Sequence, residues 1–213
     1  MPKKFIDLSV TLEAETRSDP PIMLPEIEYM AHSETAEQMM SFFPGLTQQD
    51  LPQGEGWAIE RLSIFTHNGT HLDAPYHHHS TMDGGAPAIT IDEVPLEWCF
   101  SAGVKLDFRH FEDGHLVTPN EIDAELARIG HKIAPLDIVL VNTSAATRFG
   151  QPDYLSKGCG MGRDATMHLL EQGVRLTGTD AWSWDAPFSL TAERYAETQD
   201  STLIWEGHRA SMD

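Results

Sequence analysis

The sequence predicts a mixed α/β domain with one curved or barrel-like sheet and few helices outside it. Two observations carry this. Residues 137–143 (DIVLVNT) form a continuous apolar run of the kind a buried strand shows. Around that run, helix-period segments alternate with short apolar segments, so that a strand at 137–143, a helix at 163–172 and a strand at 174–179 follow in order. Such an order favours parallel pairing through a right-handed crossover.

Each element has its own local signal. Residues 5–12 alternate well enough for a first strand. Residues 19–56 carry Pro20, Pro21, Pro25, Pro44 and Pro52 with little regular periodicity, and predict a long irregular segment. Its Met39-Met40-Ser41-Phe42-Phe43 cluster is too apolar for disorder and suits a pocket wall or a subunit contact. A strand over 58–65 delivers the motif described below, and another is expected over 102–108. Thr118-Pro119-Asn120-Glu121 is a capping box with proline at the first helical position, and Gly130 closes the helix it starts. A short helix over 191–197 and a last strand over 202–205 complete the reading.

The 213 residues suit one domain with a sizeable core, expected to span 1–213. A net charge of -19 argues against nucleic acid or an anionic membrane as partner, because phosphates would be repelled. The start has no apolar signal region and no run approaches the roughly 20 apolar residues of a membrane span. Cys99 and Cys159 make no disulfide framework. The cytoplasm is the expected compartment.

The chemistry concentrates in His67-Asn68-Gly69-Thr70-His71-Leu72-Asp73-Ala74-Pro75-Tyr76-His77. Gly69 and Pro75 disfavour a continuous helix, so a strand end turning into a loop is expected. The glycine lets the backbone fold back until His67, His71 and Asp73 converge on a single point. Two imidazoles and a carboxylate suit a divalent cation of the Zn²⁺ or Mn²⁺ type and leave coordination positions open. Water held there is activated toward a carbonyl, which favours hydrolysis of an amide or ester. Thr70 is expected to orient a ligand by a hydrogen bond. His77, past the proline, is assigned as general acid/base. His78 and His79 are expected to face solvent.

Other segments carry less. Gly158-Cys159-Gly160-Met161-Gly162 precedes a helix but is not a dinucleotide fingerprint, and reads as a loop or helix entry with Cys159 as a packed thiol. No GxSxG elbow exists, which removes support for a serine hydrolase. Asp180 suits a structural hydrogen bond or a reach into the site. Trp182, Trp184 and Phe42 are the candidate pocket walls for an aromatic substrate.

From His67 to His77 the chain resembles the cyclase/kynurenine formamidase family of metal-dependent hydrolases, whose signature HxGTHxDxPxH it matches throughout. Asp7-Leu8-Ser9, Gly178-Thr179-Asp180 and Trp205-Glu206-Gly207-His208-Arg209-Ala210 also resemble family segments. The stretch from Gly178 to Asp185 is closer to the isatin hydrolase-like branch. The resemblance implies a swivelling β/β/α-type fold and a homo-oligomer, usually a dimer. It implies Zn²⁺ or Mn²⁺ held by His67, His71 and Asp73, with His77 moving protons and His208 at the metal centre in a catalytic role. The expected reaction is opening of the C–N bond in a small cyclic or aryl amide such as an isatin-like lactam. Arylformamidase activity, or a metal-binding relative without turnover, is the alternative. The resemblance implies that chains of this branch continue past the position of Asp213 into closing strands and supply a further Glu, Gln or similar side chain to the metal centre, so this sequence is expected either to lack those strands or to close its sheet differently.

Overall fold

The computed structural model describes residues 6–14 and 16–212. The chain divides into two compact units. One contains residues 21–70 with the described part of 6–16; the other contains residues 17–20 and 71–212.

In the first unit, strand β1 (Glu26–Met30) precedes a short helix α1 (Ala36–Met40) and strand β2 (Ile59–Ser63). β1 and β2 pair antiparallel, with Glu26 opposite Ser63 and Met30 opposite Ile59. β2 is the strand expected over 58–65. β1 lies inside the segment expected to be irregular. Its Glu-Ile-Glu-Tyr alternation is a strand pattern only five residues long, starting directly after Pro25, and the surrounding prolines hide it.

The strand expected over 5–12 is not formed by residues 6–12, and Phe5 lies outside the described residues. Side chains take the amides that a ladder would have used. The Asp7 carboxylate accepts the Ser9 N–H at 2.9 Å and the Ser9 hydroxyl at 2.6 Å, and the Val10 N–H donates to Thr70 Oγ1 at 2.9 Å.

The second unit begins with a single helical turn, α2 (Pro75–His78), and a small hairpin of β3 (Thr81–Met82) and β4 (Ala86–Pro87). Then follow β5 (Gly103–Asp107), β6 (Leu116–Val117), α3 (Pro119–Ile129), β7 (Ile138–Asn142), β8 (Gly160–Met161), α4 (Arg163–Glu171), β9 (Leu176–Thr179), α5 (Phe188–Thr198) and α6 (Glu206–Arg209). β7 is the centre of a parallel three-stranded sheet between β5 and β9, as the strand–helix–strand order predicts. β6 and β8 pair in parallel as a separate two-stranded sheet. The architecture is mixed α/β, with its strands shared among four sheets in the described residues.

The core sits where this sheet meets α3 and α4. Leu106 of β5, Val139 of β7, Ile122 of α3 and Leu169 of α4 are all fully buried in one cluster. α3 begins and ends as its sequence dictates. Thr118 Oγ1 accepts the Glu121 N–H at 3.3 Å while Glu121 Oε2 accepts the Thr118 N–H at 2.8 Å, and Gly130 closes the helix at φ 68°.

The strand expected over 202–205 is instead a tight helical turn, Ser201–Leu203, followed by α6. Asp200 Oδ1 accepts the Thr202 N–H at 2.9 Å and its hydroxyl at 2.6 Å, which starts the turn. An apolar run as short as Leu203-Ile204-Trp205 fits either outcome by pattern alone. Among the described residues, no helix is long and apolar enough to cross a membrane.

Removing the cap at the start of α3 should lower stability without altering the fold. Thr118→Ala is expected to cost about 1 kcal/mol in urea unfolding with an unchanged slope, and an unchanged midpoint would show that the cap is energetically idle.

Candidate metal centre

After β2 the chain reverses over residues 65–70. Asn68 is 8% exposed and pins the reversal: its Oδ1 accepts the Phe65 N–H at 2.8 Å and its Nδ2 donates to the Met23 carbonyl at 2.8 Å. Gly69 follows at φ 65°, in the left-handed region that glycine enters without steric cost. A Cβ there would find ordinary contact with Leu12 at 3.6 Å, so the backbone angle, not space, calls for glycine.

Beyond this reversal the chain passes from the first unit, which holds His67, to the second, which holds His71 and Asp73. His71 Nε2 is 3.4 Å from Asp73 Oδ1. An imidazole and a carboxylate are donors that a divalent ion of the Zn²⁺ or Mn²⁺ type accepts. Thr70, expected to orient a ligand, has its hydroxyl oxygen engaged by the Val10 N–H.

Asp73 also belongs to a donor group. Its carboxylate, His78 and His208 offer ligand atoms that lie within 4.8 Å of each other. His78 was expected to face solvent; it is half-buried. Burial, and next the neighbouring His208, push its imidazole down to about 4 against the pull of Asp73. At neutral pH the ring is therefore uncharged, which is the form that can donate a lone pair to a cation. His79 is exposed as expected, its Nδ1 accepting the Thr81 N–H at 3.1 Å. Nothing in a run of three histidines tells which one turns inward; the helical turn begun at Pro75 decides it.

His208, on α6, is 8% exposed. Its Nδ1 is bonded to Asp185 Oδ2. Its ring is stacked on Trp205 at 4.7 Å between centroids and lies 5.1 Å from the ring of His78 and 6.0 Å from that of His77. His77 in turn meets Trp205 edge to face at 5.3 Å. Neither Asp185 nor Trp205 stood out in the sequence as a site residue, because each lies far along the chain from the histidine-rich motif.

The expected pocket aromatics sit as follows. Trp184 packs against the hydrophobic core and donates its Nε1–H to Thr166 Oγ1 at 2.9 Å. Trp182 donates to Asp19 Oδ1 at 3.2 Å, with Phe188 edge-on at 5.1 Å. Phe42 belongs to the first unit, where it is 65% exposed beside Trp57. Asp180 is structural: it accepts the Thr143 N–H at 2.9 Å and hydroxyl at 2.7 Å. Ahead of α4, the Arg163 N–H donates to the Glu206 carboxylate at 3.1 Å.

A family model described as a putative cyclase matches residues 6–186. The chain belongs to this cyclase family. Among solved structures it is similar to an isatin hydrolase bound to the product analogue thioisatinate, with a TM-score of 0.67 and 19% identity over 97% of this chain and 76% of that one. Isatin hydrolase A from Labrenzia aggregata, bound to benzyl benzoate, matches with a TM-score of 0.66 and 21% identity over 97% and 77% of the two chains. A potential metal-dependent hydrolase with cyclase activity matches at 0.57 and 18% over 96% and 74%. At these identities the likeness is one of fold.

Cys159 is 2% exposed, and burial pushes its thiol up to about 12, whereas Cys99 is exposed. Iodoacetamide at pH 8 should therefore label Cys99 in the folded chain and reach Cys159 only after unfolding. Labelling of Cys159 at the rate of Cys99 in the native state would contradict its packed role.

Proposed function

We propose that this protein is a metal-dependent hydrolase that opens the C–N bond of a small cyclic or aryl amide, an isatin-like lactam being the substrate class favoured. The observation that carries the reading is the group of Asp73, His78 and His208, whose ligand atoms lie within 4.8 Å of one another, with His71 Nε2 3.4 Å from Asp73 Oδ1. The family match and the fold likeness to isatin hydrolases support it.

His67, His71 and Asp73 are the residues that would hold the ion. A divalent ion held by such donors supplies Lewis acidity and lowers the pKa of bound water toward neutrality. The chain's own contribution is arrangement. Asn68 and Gly69 fix the reversal on which His67 lies. Asp73, placed among imidazoles, contributes negative charge that favours a cation there. His77, beside His208 and Trp205, is positioned to pass a proton to the leaving nitrogen. Amide cleavage requires that transfer, because an unprotonated amide nitrogen is a poor leaving group.

Elemental analysis with an amide panel tests the proposal. The purified chain should carry a stoichiometric divalent metal and open isatin in preference to simple esters. Asp73→Ala should lose the metal, while His77→Ala should retain it and turn over about 10²–10⁴-fold more slowly. Stoichiometric metal in Asp73→Ala would rule out this donor set, and N-formylkynurenine turnover without isatin opening would move the substrate class to aryl formamides.

A further inference from the structure

We infer that Asp185 is a positioning residue that sets the tautomer and orientation of His208, so that this ring presents an Nε2 lone pair. The inference rests on the metal-centre reading above and deepens it, since His208 shares a donor group with Asp73 and His78.

Asp185 is 4% exposed, and its partners on α6 come from two consecutive residues. Its Oδ1 accepts the Gly207 N–H at 2.6 Å; its Oδ2 accepts the His208 N–H at 3.2 Å and is also bonded to His208 Nδ1. An ionised carboxylate only accepts hydrogen bonds. Both Asp185 oxygens already accept backbone N–H groups, and with Oδ2 as acceptor in the ring bond as well the proton there sits on Nδ1, which leaves the imidazole lone pair to Nε2. A histidine that serves a cation needs that lone pair, and carboxylates bonded to the other ring nitrogen are the usual means of fixing it.

Two further features hold the ring in place. Trp205 stacks on it with an interplanar angle of 16°, from a backbone at φ 59° that a residue other than glycine enters only under constraint. Gly207 lets α6 approach closely enough for the Asp185 bonds: a Cβ there would lie 2.2 Å from the Met161 carbonyl oxygen. The tryptophan and the glycine thus serve the same end as the carboxylate, a histidine ring with one permitted orientation.

Asp185→Asn separates positioning from simple packing. The amide has the same shape and keeps an oxygen for the Gly207 N–H, but its NH₂ would donate to Nδ1 and move the ring proton to Nε2. Long-range ¹H–¹⁵N spectra of the metal-free, ¹⁵N-labelled chain at pH 8 read the tautomer directly, with the His208 ring assigned from a His208→Gln variant. The wild type should show Nδ1–H and Asp185→Asn should show Nε2–H. Calorimetric titration with Zn²⁺ should then find binding weakened about 10–100-fold in Asp185→Asn.

A wild-type ring protonated at Nε2 overturns the inference by itself, and that measurement needs no folded variant. An Asp185→Asn chain with wild-type tautomer and Zn²⁺ affinity overturns it as well. A wild type that shows the Nδ1–H tautomer but binds no Zn²⁺ overturns the metal-centre reading, and with it the binding role of Asp185.

Discussion

The reversal at Asn68 and Gly69 is the constraint on which the proposed chemistry depends. Two side-chain hydrogen bonds from a buried asparagine hold the backbone, and one residue at positive φ lets it turn. Neither contact touches a substrate. Together they fix the backbone that carries His67 at the end of the first unit. A residue with a Cβ at position 69 would have to enter the left-handed region at a cost of about 1 kcal/mol or more.

Asp73 gives the arrangement its electrostatic sense. Within the second unit this one carboxylate lies 3.4 Å from His71 Nε2 and shares a donor group with His78 and His208. His78 is held uncharged at neutral pH by burial and its imidazole neighbours. A carboxylate beside this neutral imidazole favours a cation more than one beside an imidazolium would. A second carboxylate, Asp185, stands behind His208, so that charge and hydrogen-bond direction are set together in α6.

How much of this was legible depended on the range of the interaction. The α3 cap, the Gly130 stop, the β7 run and the parallel return through α4 to β9 are written in neighbouring residues, and each forms as read. The donor motif is equally local. β1 escaped because a five-residue alternation starting after a proline looks like loop, and residues 6–12 escaped because a single Asp7 side chain replaces a ladder. The run from Leu203 to Trp205 was read as strand because its apolar character says nothing about Asp200 starting a turn. His78 and Asp185 were missed for a different reason. Their roles come from contacts with α6, and the 23 positions between Asp185 and His208 leave no spacing signal in the chain.

The central claim concerns a first coordination shell, and X-ray absorption of the Zn²⁺-loaded chain reads that shell most directly. The account predicts imidazole nitrogens at about 2.0–2.1 Å, a carboxylate or water oxygen at about 2.0–2.2 Å, no sulfur, and the loss of one imidazole's scattering in His71→Ala. A shell of oxygens alone, or one unchanged by removing His71, would contradict it.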